Sequence, residues 1–111
     1  MYNKDEFNLK AILEAIEKIE NFISDFKNAN ELYHSVRDFD AVMMNFVVIG
    51  EMTERLSTGL RNKNKNIDWS KIKSFRNIIA HDYFGIDAEE VWQIIRNNLP
   101  EFKKQVDNLL K

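Results

Sequence analysis

Apolar residues recur every three or four positions along most of this chain. Leu9, Ile12, Ile16, Ile19, Ile23 and Phe26 form one series, and Phe39, Val42, Phe46, Ile49, Thr53 and Leu56 form a second. A helix turns once in about 3.6 residues, so each series lies along one helix face. Glu14, Glu17, Lys18 and Glu20 fall on the opposite side of the first. Three glycines and one proline supply too little punctuation for strands and turns. The pattern predicts an all-α protein.

The first helix is expected from about Asp5 to Phe26, with a break at Asn28-Ala29-Asn30 and a short turn of helix at Glu31 to His34. Ser35 or Asp38 then caps a long second helix reaching about Ser57, whose stripe is widened by Met43, Val47 and Gly50. A glycine inside a helix costs about 1 kcal/mol, so Gly50 suggests close approach of a neighbouring helix. Gly59 to Asp68 reads as a polar connection. Asp68 or Ser70 caps a third helix, Trp69 to about Ala80, with Ile72, Phe75 and Ile79 inward, and His81 to Gly85 end it. Asp87 caps the last helix, with Glu89 and Glu90 where the helix dipole favours acids. Ala88, Val91, Ile95, Phe102, Val106 and Leu109 line its inner side, and Pro100 is expected to kink or split it. The expected architecture is a bundle of four main helices forming one domain over residues 1–111, with shallow crossing angles. Half-buried surface on a long helix would let two copies pair.

Composition narrows the chemistry. The chain has no cysteine, which removes disulfides, thiolate metal sites and cysteine nucleophiles and suits a reducing cytoplasm. The N-terminal residues lack a signal-peptide pattern, and no apolar run approaches the roughly 18 residues of a membrane span. A soluble, cytoplasmic protein without membrane contact is expected. Two distant histidines make no metal site, no glycine-rich phosphate loop is present, and no cofactor is expected.

The net charge of −2 conceals an asymmetry. Arg61, Lys63, Lys65, Lys71, Lys73 and Arg76 are opposed within their own stretch only by Asp68, while the rest of the chain is acidic. Such a patch attracts phosphate; the plain alternative is a solvated Lys/Asn loop.

The patch runs into Arg76-Asn77-Ile78-Ile79-Ala80-His81-Asp82-Tyr83. On a regular helix Asn77 and His81, four apart, share a face, as do Arg76 and Tyr83, seven apart. Arg76 and His81, five apart, diverge by roughly 140°. They converge only if the helix ends near His81 or if a second chain brings its own copy. The residue types suit metal-independent RNA cleavage. Histidine gives and takes protons near neutrality, arginine grips phosphate with two prongs, and asparagine offers an amide. Tyrosine adds a hydroxyl and a stacking face. One motif supplies one histidine, whereas two motifs facing each other supply both acid and base. The alternative reading of these residues is a cap or a surface histidine near an unrelated arginine.

The run Arg-Asn-x-x-Ala-His-Asp-Tyr-Phe-Gly resembles the HepT-like branch of the HEPN superfamily. Val48-Ile49-Gly50-Glu51, Ile67-Asp68-Trp69, and Val91-Trp92 followed by Leu99-Pro100 resemble the same family, so the likeness covers nearly the whole chain. The resemblance implies a dimerising helical bundle that cleaves RNA without a metal in a cleft shared by two protomers. It implies catalytic roles for Arg76 and His81, assisted by Asn77. It further implies a toxin paired with a minimal nucleotidyltransferase antitoxin, which transfers AMP from ATP to Tyr83. The acidic body departs from a typical RNA binder and favours a limited target held by Arg61, Lys63, Lys65, Lys71 and Lys73. The rival expectation is a non-catalytic helical module that binds a nucleotidyltransferase or RNA.

Other residues read more plainly. His34 is expected at the surface, Glu51 and Glu54 on a solvated or dimer-facing edge, and Trp69, Trp92, Met43 and Met44 in packing or an interface. Asp82 is expected to cap the helix rather than orient His81.

Overall fold

The computed structural model describes residues 3–111, which form helices joined by short turns. The elements are α1 (Asn3–Ile23), α2 (Ala29–His34), α3 (Val36–Glu54), α4 (Thr58–Lys63) and α5 (Trp69–His81). A 3-10 turn (Tyr83–Gly85), α6 (Ala88–Gln93), a π turn (Ile94–Asn98) and α7 (Leu99–Leu110) follow. The chain is all-helical among the described residues. α3 packs against both α1 and α5, α7 also packs against α1, and α2 joins α3 to α6.

The two apolar series form the core. Leu9, Ile12, Ile16 and Ile19 of α1 are fully enclosed, as are Val42 and Met43 of α3, and Val91 and Val106 close the far side. Each such side chain contributes about 1.5–3 kcal/mol. Phe39, Phe46, Ile49, Thr53 and Leu56 are also buried, whereas Phe26 only leans on the core. Met43 is core, Met44 is exposed and Trp92 is buried.

Three boundaries differ from expectation for local reasons. α1 stops at Ile23 because the Ser24 hydroxyl takes the Asn21 carbonyl at 2.8 Å, competing with the helix ladder. α2 starts early because Asn28 Oδ1 accepts the Glu31 N–H at 2.9 Å, while Glu31 Oε1 accepts the Lys27 N–H at 2.8 Å. α3 ends at Glu54, and part of the expected polar connection is helical, because Ser57 caps α4 by accepting the Leu60 N–H at 3.2 Å. Ser57 is fixed by buried Asp5, which accepts its N–H at 2.8 Å and its hydroxyl at 2.7 Å.

α5 is capped by Asp68, which accepts the Lys71 N–H at 3.0 Å, while the Ser70 hydroxyl donates to the same carboxylate. At the last helix the irregularity is the π turn, where the Leu99 N–H reaches the Ile94 carbonyl five residues back. Pro100 follows in the first turn of α7. Proline brings no N–H and crowds the carbonyl four residues before it, and the wider turn accommodates both.

Candidate active site

α5 and α3 run antiparallel: Arg76 meets Gly50 and Glu51, Phe75 meets Phe46, and Tyr83 meets Phe39 and Asp40. The polar motif is therefore laid along α3.

Arg76 crosses α3 where it has no side chain. A methyl group built on Gly50 would collide with Cβ and Cγ of Arg76. No described glycine has positive φ, so Gly50 serves proximity rather than backbone freedom. The guanidinium then turns onto two carboxylates. Nη1 donates to Glu51 Oε1 at 2.6 Å, and Nη2 lies 3.6 Å from Glu54 Oε1. Lys73 Nζ also approaches Glu54, at 3.5 Å. Only 21% of the Arg76 side chain is exposed, and its Nε–H is buried without a partner. Glu51 and Glu54, expected on a solvated or dimer-facing edge, are in addition ion partners of Arg76.

His81 is the last residue of α5 and is exposed. The helix stays regular through it, with the Asp82 N–H donating to the Ile78 carbonyl at 2.8 Å. The helix period therefore separates Arg76 and His81 by roughly 140° within one chain. Asn77 is half-buried and shares the His81 face. Asp82 terminates α5, but its carboxylate makes no capping hydrogen bond; it lies against Gly85, where a Cβ would strike it.

Tyr83 sits in the 3-10 turn, half-buried and edge-on to Phe39 with ring centroids 6.3 Å apart. Its hydroxyl donates to Asp40 Oδ1. Burial, then the hydrogen bond and charge of Asp40, push the phenol well above the ordinary tyrosine range. Asp40 is a site residue that sequence reading missed. The available signal was spacing: Asp40 and Glu51 are eleven apart, three helical turns, and so share one face of α3.

The basic residues are spread along the approach. Arg61 and Lys63 lie in the last turn of α4, Lys65 follows, and Lys71 and Lys73 lie on the first half of α5. Lys63, Lys65 and Lys71 are exposed, Arg61 is half-buried, and Lys73 is paired with Glu54. Lys71 rims an apolar groove of about 350 Å³ between α3, α5, the π turn and α7. His34 is exposed, and its ring nitrogen meets only the Asn30 carbonyl, at 2.8 Å. Among the described residues no group of three or more His, Asp or Glu is placed to hold a metal ion, and no helix is long and apolar enough to cross a membrane.

The family model described as Ribonuclease HepT-like matches residues 12–109. The chain belongs to the HepT-like ribonuclease family. Over 96 residues it is 32% identical to Putative RNase MJ1380 of Methanocaldococcus jannaschii, spanning 86% of this chain and 87% of that protein. It is 30% identical over 103 residues to Gamma-glutamylcyclotransferase and putative RNase MJ0434 of the same organism, covering 93% of this chain but 46% of that longer protein. It is 28% identical over 103 residues to Probable ribonuclease HepT of Thermococcus cleftensis, 93% of each chain. No solved structure matches it. The run from Arg76 to Gly85 thus occupies the end of α5 and the turn after it, with acidic partners supplied by α3.

Proposed function

We propose that this chain is the toxin of a toxin–antitoxin pair: a metal-independent endoribonuclease whose cleft forms between two copies of the chain. The observation that carries this reading is the placement of Arg76 and His81 on one unbroken helix, diverging within a protomer. A second copy supplies the missing group. Ile78, one turn before His81, and Phe84, three residues after it, are exposed apolar side chains suited to being covered by that copy.

In the proposed reaction one His81 takes the proton of a ribose 2′-hydroxyl, and the 2′-oxygen bonds to the adjacent phosphorus. The bond from phosphorus to the 5′-oxygen breaks, and the His81 of the other copy returns a proton to that oxygen. Arg76 steadies the crowded anionic phosphate and Asn77 supplies an amide donor. Arg61, Lys63, Lys65, Lys71 and Lys73 hold the RNA strand. The names of the relatives, RNases, support the substrate class. The protein acts in the cytoplasm and needs no cofactor.

A minimal nucleotidyltransferase antitoxin silences it. The Tyr83 oxygen bonds to the α-phosphorus of ATP, pyrophosphate leaves, and the phenolic proton is released beside Asp40. The AMP adduct, anionic and two residues from His81, blocks the cleft and repels RNA phosphates.

The test is cleavage of total RNA by purified protein in a chelator, beside His81→Ala and Arg76→Ala. Cleavage by the parent alone supports the enzyme. A second reading, a non-catalytic module binding the nucleotidyltransferase or RNA, takes support from the Arg76–Glu51 pair as a structural tie. Equal behaviour of all three proteins would favour it.

A further inference from the structure

The guanidinium of Arg76 is held unevenly. It carries five N–H donors. One from Nη1 makes a short, charge-assisted bond to Glu51 Oε1 at 2.6 Å. The Nη2 contact with Glu54, at 3.6 Å, is an ion pair too long to be a hydrogen bond. Nε–H is buried and unpartnered, and Glu54 Oε1 is buried without a hydrogen bond, shared loosely between Arg76 and Lys73. Gly50 removes the side chain that would otherwise lift Arg76 off α3. The arginine stem is thus seated by backbone contact, and its head is anchored firmly at one nitrogen only.

We propose that Glu51 is the positioning residue for Arg76: it fixes the Nη1 end of the guanidinium against α3, so that the donors left over meet the scissile phosphate in one orientation. This rests on the nuclease reading. A long, flexible arginine without an anchor still attracts phosphate, because its charge remains. What it loses is orientation, and orientation is what a transition state requires. Glu51 is also a negative charge beside the phosphate path, so its removal should strengthen RNA binding. The two effects have opposite signs, which separates positioning from fold maintenance and from simple repulsion. Glu54 plays the lesser part, because it contacts Arg76 only at ion-pair distance and divides its charge with Lys73.

The experiment compares the parent, Glu51→Gln, Glu51→Ala and Arg76→Ala for cleavage kinetics. It also measures RNA affinity for each Glu51 variant in a His81→Ala background. For Glu51→Ala, kcat should fall by at least about tenfold. Glu51→Gln keeps an acceptor oxygen and should recover part of that loss. RNA affinity should be equal or tighter in both, and their thermal midpoints should not track kcat. If Glu51→Ala is too unstable to purify, Glu51→Gln carries the test: reduced kcat with unweakened binding supports the proposal. Parent-like kcat in the Glu51 variants, with Arg76→Ala inert, overturns the positioning role and leaves the nuclease reading standing. A fall in affinity alongside kcat also overturns it. A parent that cleaves nothing, or an Arg76→Ala that cleaves as well as the parent, removes the nuclease reading and this inference together.

Discussion

Gly50 on α3 lies directly beneath Cβ and Cγ of Arg76 on α5, with no space for a methyl group between them. Replacing it by alanine improves helix propensity by about 1 kcal/mol, while forcing a side chain into a filled contact costs about 1–3 kcal/mol. Gly50→Ala should therefore lose no more than about 2 kcal/mol in urea unfolding, the difference between those two effects. RNA cleavage should fall by at least about tenfold, because the atoms displaced belong to Arg76. Parent-like cleavage with altered stability would mean that Arg76 finds its working position without this contact.

The Tyr83 phenol should ionise above the ordinary tyrosine range. Burial and Asp40 raise its pKa above the ordinary value, so the fold favours the neutral phenol. That contribution to stability is complete below the unfolded-state pKa of about 10 and is lost as pH rises past it. A near-ultraviolet titration of the phenolate band should show a late step that is absent from Tyr83→Phe. In Asp40→Asn this step should move down part of the way, since burial remains. Simultaneous ionisation of all tyrosines would show that Asp40 does not hold Tyr83 in solution.

Asp5 fastens the start of α4 to the start of α1. Its carboxylate accepts both the N–H and the hydroxyl of Ser57, and Ser57 in turn caps the helix carrying Arg61 and Lys63. Asp5→Ala leaves a backbone donor unpaired and should cost about 1–3 kcal/mol of stability. Ser57→Ala should cost nearer 1 kcal/mol, as an ordinary cap loss. Amide hydrogen exchange should accelerate at residues 58–63 in both variants. Unchanged exchange there would show that α4 stands without this anchor.

The parts of the fold legible in the sequence were those set by a short-range period. The α1 and α3 stripes and the Asp68 and Asp87 caps follow from spacings of two to four residues. What was missed depends on partners distant in sequence. α4 forms because of an acceptor 52 residues away, and the Glu51 contact that engages Arg76 spans 25 residues. Gly50 was readable as a sign of close approach, but its partner was not. Asp40 escaped notice because its one signal, the eleven-residue spacing from Glu51, marks a shared face of α3 without showing what that face meets. The motif could be located from its residue types; the carboxylates that hold it needed the antiparallel pairing of α3 and α5.

RNA affinity should depend on salt through a subset of the basic patch. Lys63, Lys65 and Lys71 are exposed, whereas Lys73 shares Glu54 with Arg76 at 3.5 Å. A single-stranded contact to one phosphate contributes about 0.7 to the slope of log affinity against log salt. Lys63→Ala, Lys65→Ala and Lys71→Ala, each in a His81→Ala background, should therefore reduce the slope by up to about 0.7. Lys73→Ala should reduce it less, because its charge is already compensated within the protein by Glu54, which the substitution leaves to Arg76 alone. Equal slopes for all four variants and their parent would place the RNA path on another face of the bundle.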